Sequence, residues 1–137
     1  YDVAEASGGQ ECLDLVEHSA GKIDAVLLDI VMPGMDGFEV LRRRQESGVF
    51  QKIPVIVLTM SDRKEDQELA EQFLEDDMVS VVATDAHDTR YRSPSIARLE
   101  RYLQSRYGQA RTRLWLSENP SRILKGYSVL GADGHTG

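Results

Sequence analysis

Four side chains in this 137-residue chain have types and spacings that could carry chemistry: Asp29, Thr59, Asp85 and His87. Asp29 follows Ala25-Val26-Leu27-Leu28, an unbroken apolar run of the kind that forms a parallel strand covered on both faces. Its carboxylate should emerge at the strand's carboxyl end, where open α/β sheets keep their reactive groups. Thr59 places a hydroxyl at the end of a second run, Pro54-Val55-Ile56-Val57-Leu58. Asp85-Ala86-His87 follows a third, Val79-Ser80-Val81-Val82-Ala83. Side chains at i and i+2 can both reach one ion, and an Asp with a His suits zinc, manganese or iron, although two protein ligands make a weak site. Strand ends in one parallel sheet share a rim, so Asp29, Thr59 and Asp85 should meet there with His87 close by. Such a rim could bind a phosphate ion or a metal, with Asp29 a further weak ligand. No cofactor is required, and weakly held Mg, Mn or Zn is the expectation.

The elements that must position these groups alternate along the chain. Ser7-Gly8-Gly9-Gln10 reads as an S-x-x-Q cap opening a helix to about residue 19, closed by Gly21. The Asp29 strand follows, then a Pro33-Gly34 turn. Asp36 with Glu39 forms a D-x-x-E capping box for a helix over 38–45, so Asp36 is read as a cap rather than a ligand. After the strand over 54–58, Asp62 and Glu65 cap a further helix, and 79–83 is the next strand. Ser93-Pro94 starts a helix whose Ile96, Leu99, Leu103 and Tyr107 make one apolar face and which Gly108 ends. Residues 110–116 and 120–124 read as two more helical pieces, and the glycine-rich 130–137 as a loose tail.

Composition narrows the class. A chain of this length is one domain with a real core, and 41% apolar with 28% charged residues is ordinary for a soluble protein. A formal charge of −7 disfavours nucleic acid and anionic membranes as partners. Seven arginines between Arg90 and Arg113 make the stretch after His87 basic, which reads first as a solvated helix face. The single cysteine, Cys12, permits no intrachain disulfide, fits a reducing cytoplasm and sits at helical spacing with Leu13 and Val16 as a small core residue. No apolar run approaches the ~18 residues of a membrane span. His18 falls in a last helical turn and His135 in the tail, so neither adds to the rim.

Residues 1–70 resemble the receiver domains of two-component response regulators. The likeness is carried by Asp29 in the place of the phosphate-accepting aspartate, Met32-Pro33-Gly34-Met35-Asp36-Gly37 as the loop after it, 53–59 as the next strand ending in a switch hydroxyl at Thr59, and Tyr1-Asp2-Val3-Ala4-Glu5-Ala6 as the family's second strand. The family's first strand, with two acidic residues that hold magnesium, has no counterpart in the sequence, and 78–83 lacks the family's lysine. Phosphoryl transfer to a carboxylate needs a cation to neutralise the repelling oxygens, so Asp29 reads as a vestigial acceptor.

A second resemblance covers 71–129, which is similar to the C-terminal end of PHP-type bacterial tyrosine phosphatases. It rests on the strand delivering Asp85 and His87, metal ligands in that family, and on Glu118-Asn119-Pro120-Ser121-Arg122-Ile123-Leu124-Lys125-Gly126. Two families meeting inside a helix near 66–75 imply a recombined or engineered chimera without evolved catalysis. The alternatives are a receiver that accepts phosphate at Asp29 and a metal-dependent phosphatase fragment. The expected fold is a single α/β domain with a parallel sheet of about four βα units, flavodoxin-like or a half (β/α)-barrel, and a helical C-terminal end. Loss of one strand leaves a gap with three conceivable repairs: direct pairing of the Val3 segment with the Asp29 strand, C-terminal helices folded over the bare face, or 127–130 entering as a strand. A homodimer through the sheet is the expected partner state.

Overall fold

The computed structural model describes residues 2–19, 21–58, 64–83, 96–131 and 135–136. Helix α1 (Gly9–His18) buries Gly9, Leu13 and Val16 on one stripe. Its start differs from the expected cap. Gly8 holds the N-cap position without a side-chain bond, and the Ser7 amide and hydroxyl both donate to Glu11 Oε2, at 2.8 and 2.6 Å. A carboxylate one residue beyond Gln10 is the stronger acceptor. A Cβ at Gly9 would lie 2.7 Å from Val40 Cγ2 and 2.8 Å from the Met35 carbonyl, so this glycine sets how closely α1 approaches the next helix.

Strand β1 (Val26–Asp29), helix α2 (Gly37–Glu46), a 3-10 turn (Phe50–Lys52), strand β2 (Val55–Leu58), helix α3 (Lys64–Glu75) and strand β3 (Val81–Ala83) follow. The strands pair in parallel in the order β1-β2-β3, with Leu27 opposite Ile56 and Ile56 opposite Val81. Helix α4 (Ile96–Arg113), a π-helical turn (Leu114–Glu118) and helix α5 (Asn119–Leu124) complete the chain. The expected end at Gly108 is a kink instead, with φ 82° and ψ 167°, after which the helix resumes. No helix among the described residues is long and apolar enough to cross a membrane.

The first face of the sheet carries the core. Val26, Leu28, Val55, Val57 and Val82 pack with Leu13 and Val16 of α1, Phe38 and Leu41 of α2, and Phe73 and Leu74 of α3. Phe38 and Phe73 stack with ring centroids 5.4 Å apart, and the Arg42 guanidinium lies over Phe73. The second face is covered unevenly. Across the row Leu27, Ile56, Val81, exposure falls from 63% at Leu27 through partial burial at Ile56 to 5% at Val81. The C-terminal helices sit over β3, where Trp115 is buried against the edge of Tyr107 at 5.3 Å and beneath the Arg111 guanidinium. The β1 end of that face is bare among the described residues, so the apolar run before Asp29 is covered on one face and not on two.

Among the described residues three strands are seen where about four βα units were expected. Residues 2–6 form no strand, and Val3 is 79% exposed, because a strand needs a ladder partner and this segment has none among the described residues. The half-barrel repair is therefore not the one taken, and the C-terminal helices fold back over the β3 side of the second face without reaching Leu27. Nor does 127–130 enter the sheet. Leu130 instead forms an antiparallel bridge with Thr136, and the Gly131 amide donates to the His135 carbonyl. Asn119, 1% exposed, fixes this end: its Nδ2 donates to the Ser80 and Leu130 carbonyls at 2.9 and 3.0 Å, and its Oδ1 accepts from the Leu130 amide at 2.8 Å.

Candidate functional site

Asp29 is the last residue of β1 and its side chain is exposed on the sheet's second face. The Val31 amide donates to its Oδ1 at 3.0 Å, which fixes one carboxylate oxygen and leaves Oδ2 without a hydrogen-bond partner among the described residues. The chain then turns at Gly34, whose φ of 79° suits glycine, and returns so that the Gly37 amide donates to the Ile30 carbonyl at 3.0 Å. A Cβ at residue 37 would be driven into the Asp29 carbonyl oxygen and to 2.8 Å from Ile30 Cα. Gly37 thus lets the first turn of α2 lie against the strand end that presents the carboxylate. Sequence reasoning read this glycine only as part of a loop motif; its place directly after a capping aspartate was the available signal.

Asp36 caps α2 as expected, accepting the Glu39 amide at 2.9 Å. Glu39 does not return the bond. Its carboxylate accepts Arg43 Nε at 3.0 Å and Arg42 at 3.4 Å, and these bonds, Arg43 first, hold it below the ordinary glutamate range. Cys12 is half-buried against the core, and burial pushes its thiol up, away from the reactive thiolate. His18 Nδ1–H donates to the Asp14 carbonyl at 2.7 Å in the last turn of α1.

Asp29 pairs in register with Leu58, and Leu58 with Ala83, so three strand ends form one rim. Thr59, Asp85 and His87 follow those residues in the chain but lie outside the described residues, as do Asp62 and Ser93-Pro94. Among the described residues no group of three His, Cys, Asp or Glu side chains is placed to hold a metal ion. Among the described residues Asp29 offers one carboxylate, with one oxygen already engaged by the Val31 amide.

The family model of the response regulator receiver domain matches residues 1–90. Response regulator MprA of Mycolicibacterium vanbaalenii is 42% identical over 62 residues, covering 45% of this chain and 25% of that protein. The two-component response regulator-like protein PRR37 of Oryza sativa subsp. indica is 36% identical over 62 residues, covering 45% of this chain and 8% of that protein. The chain spans a quarter or less of the length of these curated relatives. The crystal structure of the N-terminal domain of a response regulator receiver protein from Methanoculleus marisnigri JR1 superposes with a TM-score of 0.50 at 26% identity, covering 80% of this chain and 78% of that one. The family match runs through α3 and past 66–75, where the second family was expected to take over. The chain belongs to the response regulator receiver domain family.

Proposed function

We propose that this chain is a phosphate-accepting module of a two-component response regulator and that Asp29 takes the phosphoryl group. The observation that carries the reading is the exposed Asp29 carboxylate at the end of β1, with Oδ1 fixed by the Val31 amide and Oδ2 open to a donor. Oδ2 attacks the phosphorus of an acyl phosphate or phosphohistidine, the bond from phosphorus to the donor breaks, and a mixed anhydride forms at Asp29. Thr59, next after the residue opposite Asp29, is assigned to hydrogen-bond a phosphoryl oxygen. The names of the relatives, a response regulator and a two-component response regulator-like protein, support this reading above the chimera and the PHP-type phosphatase fragment, as does the family match over 1–90. The experiment is incubation with acetyl phosphate followed by intact-mass measurement, run with Mg, Mn or Zn and again with a chelator. One added phosphoryl group in the wild type and none in Asp29→Asn supports the proposal; no mass change under any condition overturns it. The chelator arm tests whether the transfer needs a divalent cation, as the repulsion between the carboxylate and phosphoryl oxygens implies, against the expectation that no cofactor is required and a metal binds weakly. The bare β1 end of the sheet supports a further part of the proposal, association of two chains through the sheet.

A further inference from the structure

We infer that Ile30 and Gly37 are positioning residues for the transfer at Asp29: together they clamp the turn whose amide fixes Oδ1, and so set Oδ2 toward the donor. This rests on the reading that Asp29 takes the phosphoryl group, and it says what holds that carboxylate ready. With acetyl phosphate as donor, the bond from Asp29 Oδ2 to phosphorus forms as the bond from phosphorus to the acetyl oxygen breaks, and acetate leaves with the electron pair. That displacement needs an accurate line of approach. A carboxylate that turns freely at a strand end meets the line for only a small part of the time.

The Val31 amide restrains it, donating to Oδ1 at 3.0 Å. The bond is only as well placed as residue 31, which lies beyond the last ladder pair of β1, Asp29 with Leu58. Ile30 supplies the placement. It continues the inward alternation of Val26 and Leu28 past the end of the strand, is 5% exposed and joins the core cluster with Phe38 and Leu41. A buried side chain between the carboxylate and its amide donor ties both to the core.

Gly37 closes the clamp from the side of α2. Its amide donates to the Ile30 carbonyl at 3.0 Å. The place of its absent Cβ lies 2.8 Å from Ile30 Cα and 3.1 Å from Ile30 Cδ1, with the Asp29 carbonyl oxygen nearer still. Gly9 also sits close to its neighbours, but those are Val40 and Met35; Gly37 lies against the backbone of the acceptor itself. Ile30 is thus gripped at its side chain, its Cα and its carbonyl. A methyl group at residue 37 must gain more than half an ångström from Ile30 Cα to reach ordinary contact at 3.4 Å. A misplacement of ~1 Å can slow a positioned reaction ~10²-fold, so this smaller one should cost about tenfold.

The test follows phosphorylation by intact mass over a series of acetyl phosphate concentrations with Mg, for the wild type, Gly37→Ala, Ile30→Val and Asn119→Ala. Hydrogen exchange of the Val31 amide is read by NMR in each. Ile30→Val keeps a buried branched side chain and loses only Cδ1, so it carries the test if Gly37→Ala lacks the wild-type circular dichroism. Asn119→Ala is destabilised away from this turn and controls for stability alone. The expected result is a fall of about tenfold in the maximal rate for Gly37→Ala and a smaller fall for Ile30→Val, at unchanged half-saturating concentration. The Val31 amide should exchange faster in both, while folded Asn119→Ala keeps the wild-type rate and protection. Wild-type rate and Val31 protection in the clamp variants, equal slowing in Asn119→Ala, or a change in half-saturating concentration alone overturns the clamp and leaves Asp29 standing as the acceptor. A wild type that gains no phosphoryl group overturns the acceptor reading and the clamp with it.

Discussion

Phe73→Ala tests whether the sheet and the helices on either side of residue 70 share one core. Phe73 is 5% exposed, packs under β1 and β2 with Phe38 and Leu41, and stacks on Phe38 at an interplanar angle of 13°. Truncating a buried Phe to Ala costs ~3–5 kcal/mol through lost transfer energy and the cavity left behind. The stacked pair is worth ~0.5–1.5 kcal/mol of that, which places this site in the middle of the range, at about 4 kcal/mol. With a urea slope of ~2 kcal/mol per M, the unfolding midpoint should fall by about 2 M at unchanged slope. Phe73→Leu keeps most of the volume and should cost ~1 kcal/mol, reporting the lost stacking alone. A fall of less than ~0.5 M for Phe73→Ala, with the slope unchanged, would show that α3 is only loosely docked and refute the single core.

Three further outcomes follow from particular contacts. Gly37→Ala should cost ~2 kcal/mol or more in urea unfolding, because its Cβ meets backbone at Asp29 and Ile30 that has no room to move, whereas Gly48→Ala, with open space, should be near neutral. Asn119→Ala should cost ~2–4 kcal/mol and expose the Tyr127 segment to limited proteolysis, since it strands the Ser80 and Leu130 carbonyls; unchanged protease resistance would count against Asn119 as the tie. Burial, then the hydrogen bond to the Glu71 carboxylate, pushes the Tyr102 phenol up to about 12. A raised folded value means that its contribution is full below the ordinary 10.0 and lost as pH rises toward 12, so Tyr102→Phe should flatten the wild type's fall in unfolding midpoint across that window.

Much of the framework was legible because it depends on neighbours in sequence. The Asp36 cap, the three strands and the positions of α1 and α2 all follow from local spacing. What stayed hidden depends on partners distant in sequence. Periodicity marks Leu27 as apolar but cannot reveal that, among the described residues, only one face of its strand is covered. Residues 1–6 have strand composition, yet a ladder partner decides whether a strand exists. Gly108 was visible as a break and 110–116 as helix beyond it; what was not legible is that the two pieces run on across a kink, with Leu114 and Trp115 buried after it. Asn119 stood in the sequence only as part of the 118–126 stretch; its bonds to Ser80 and Leu130 join segments distant in the chain. At the site, Asp29 was placed from its run of four apolar residues; the Val31 amide that orients it and the closeness of Gly37 come from the turn's geometry.

The most direct test of the central claim is to locate the acceptor. Acetyl-phosphate-treated protein is reduced with borohydride, which converts an aspartyl phosphate to homoserine, and the peptides are mapped by mass. Homoserine at position 29 and at no other aspartate is the predicted result. Homoserine at Asp24 or Asp36 with residue 29 unmodified, or no conversion at any position, would contradict the account.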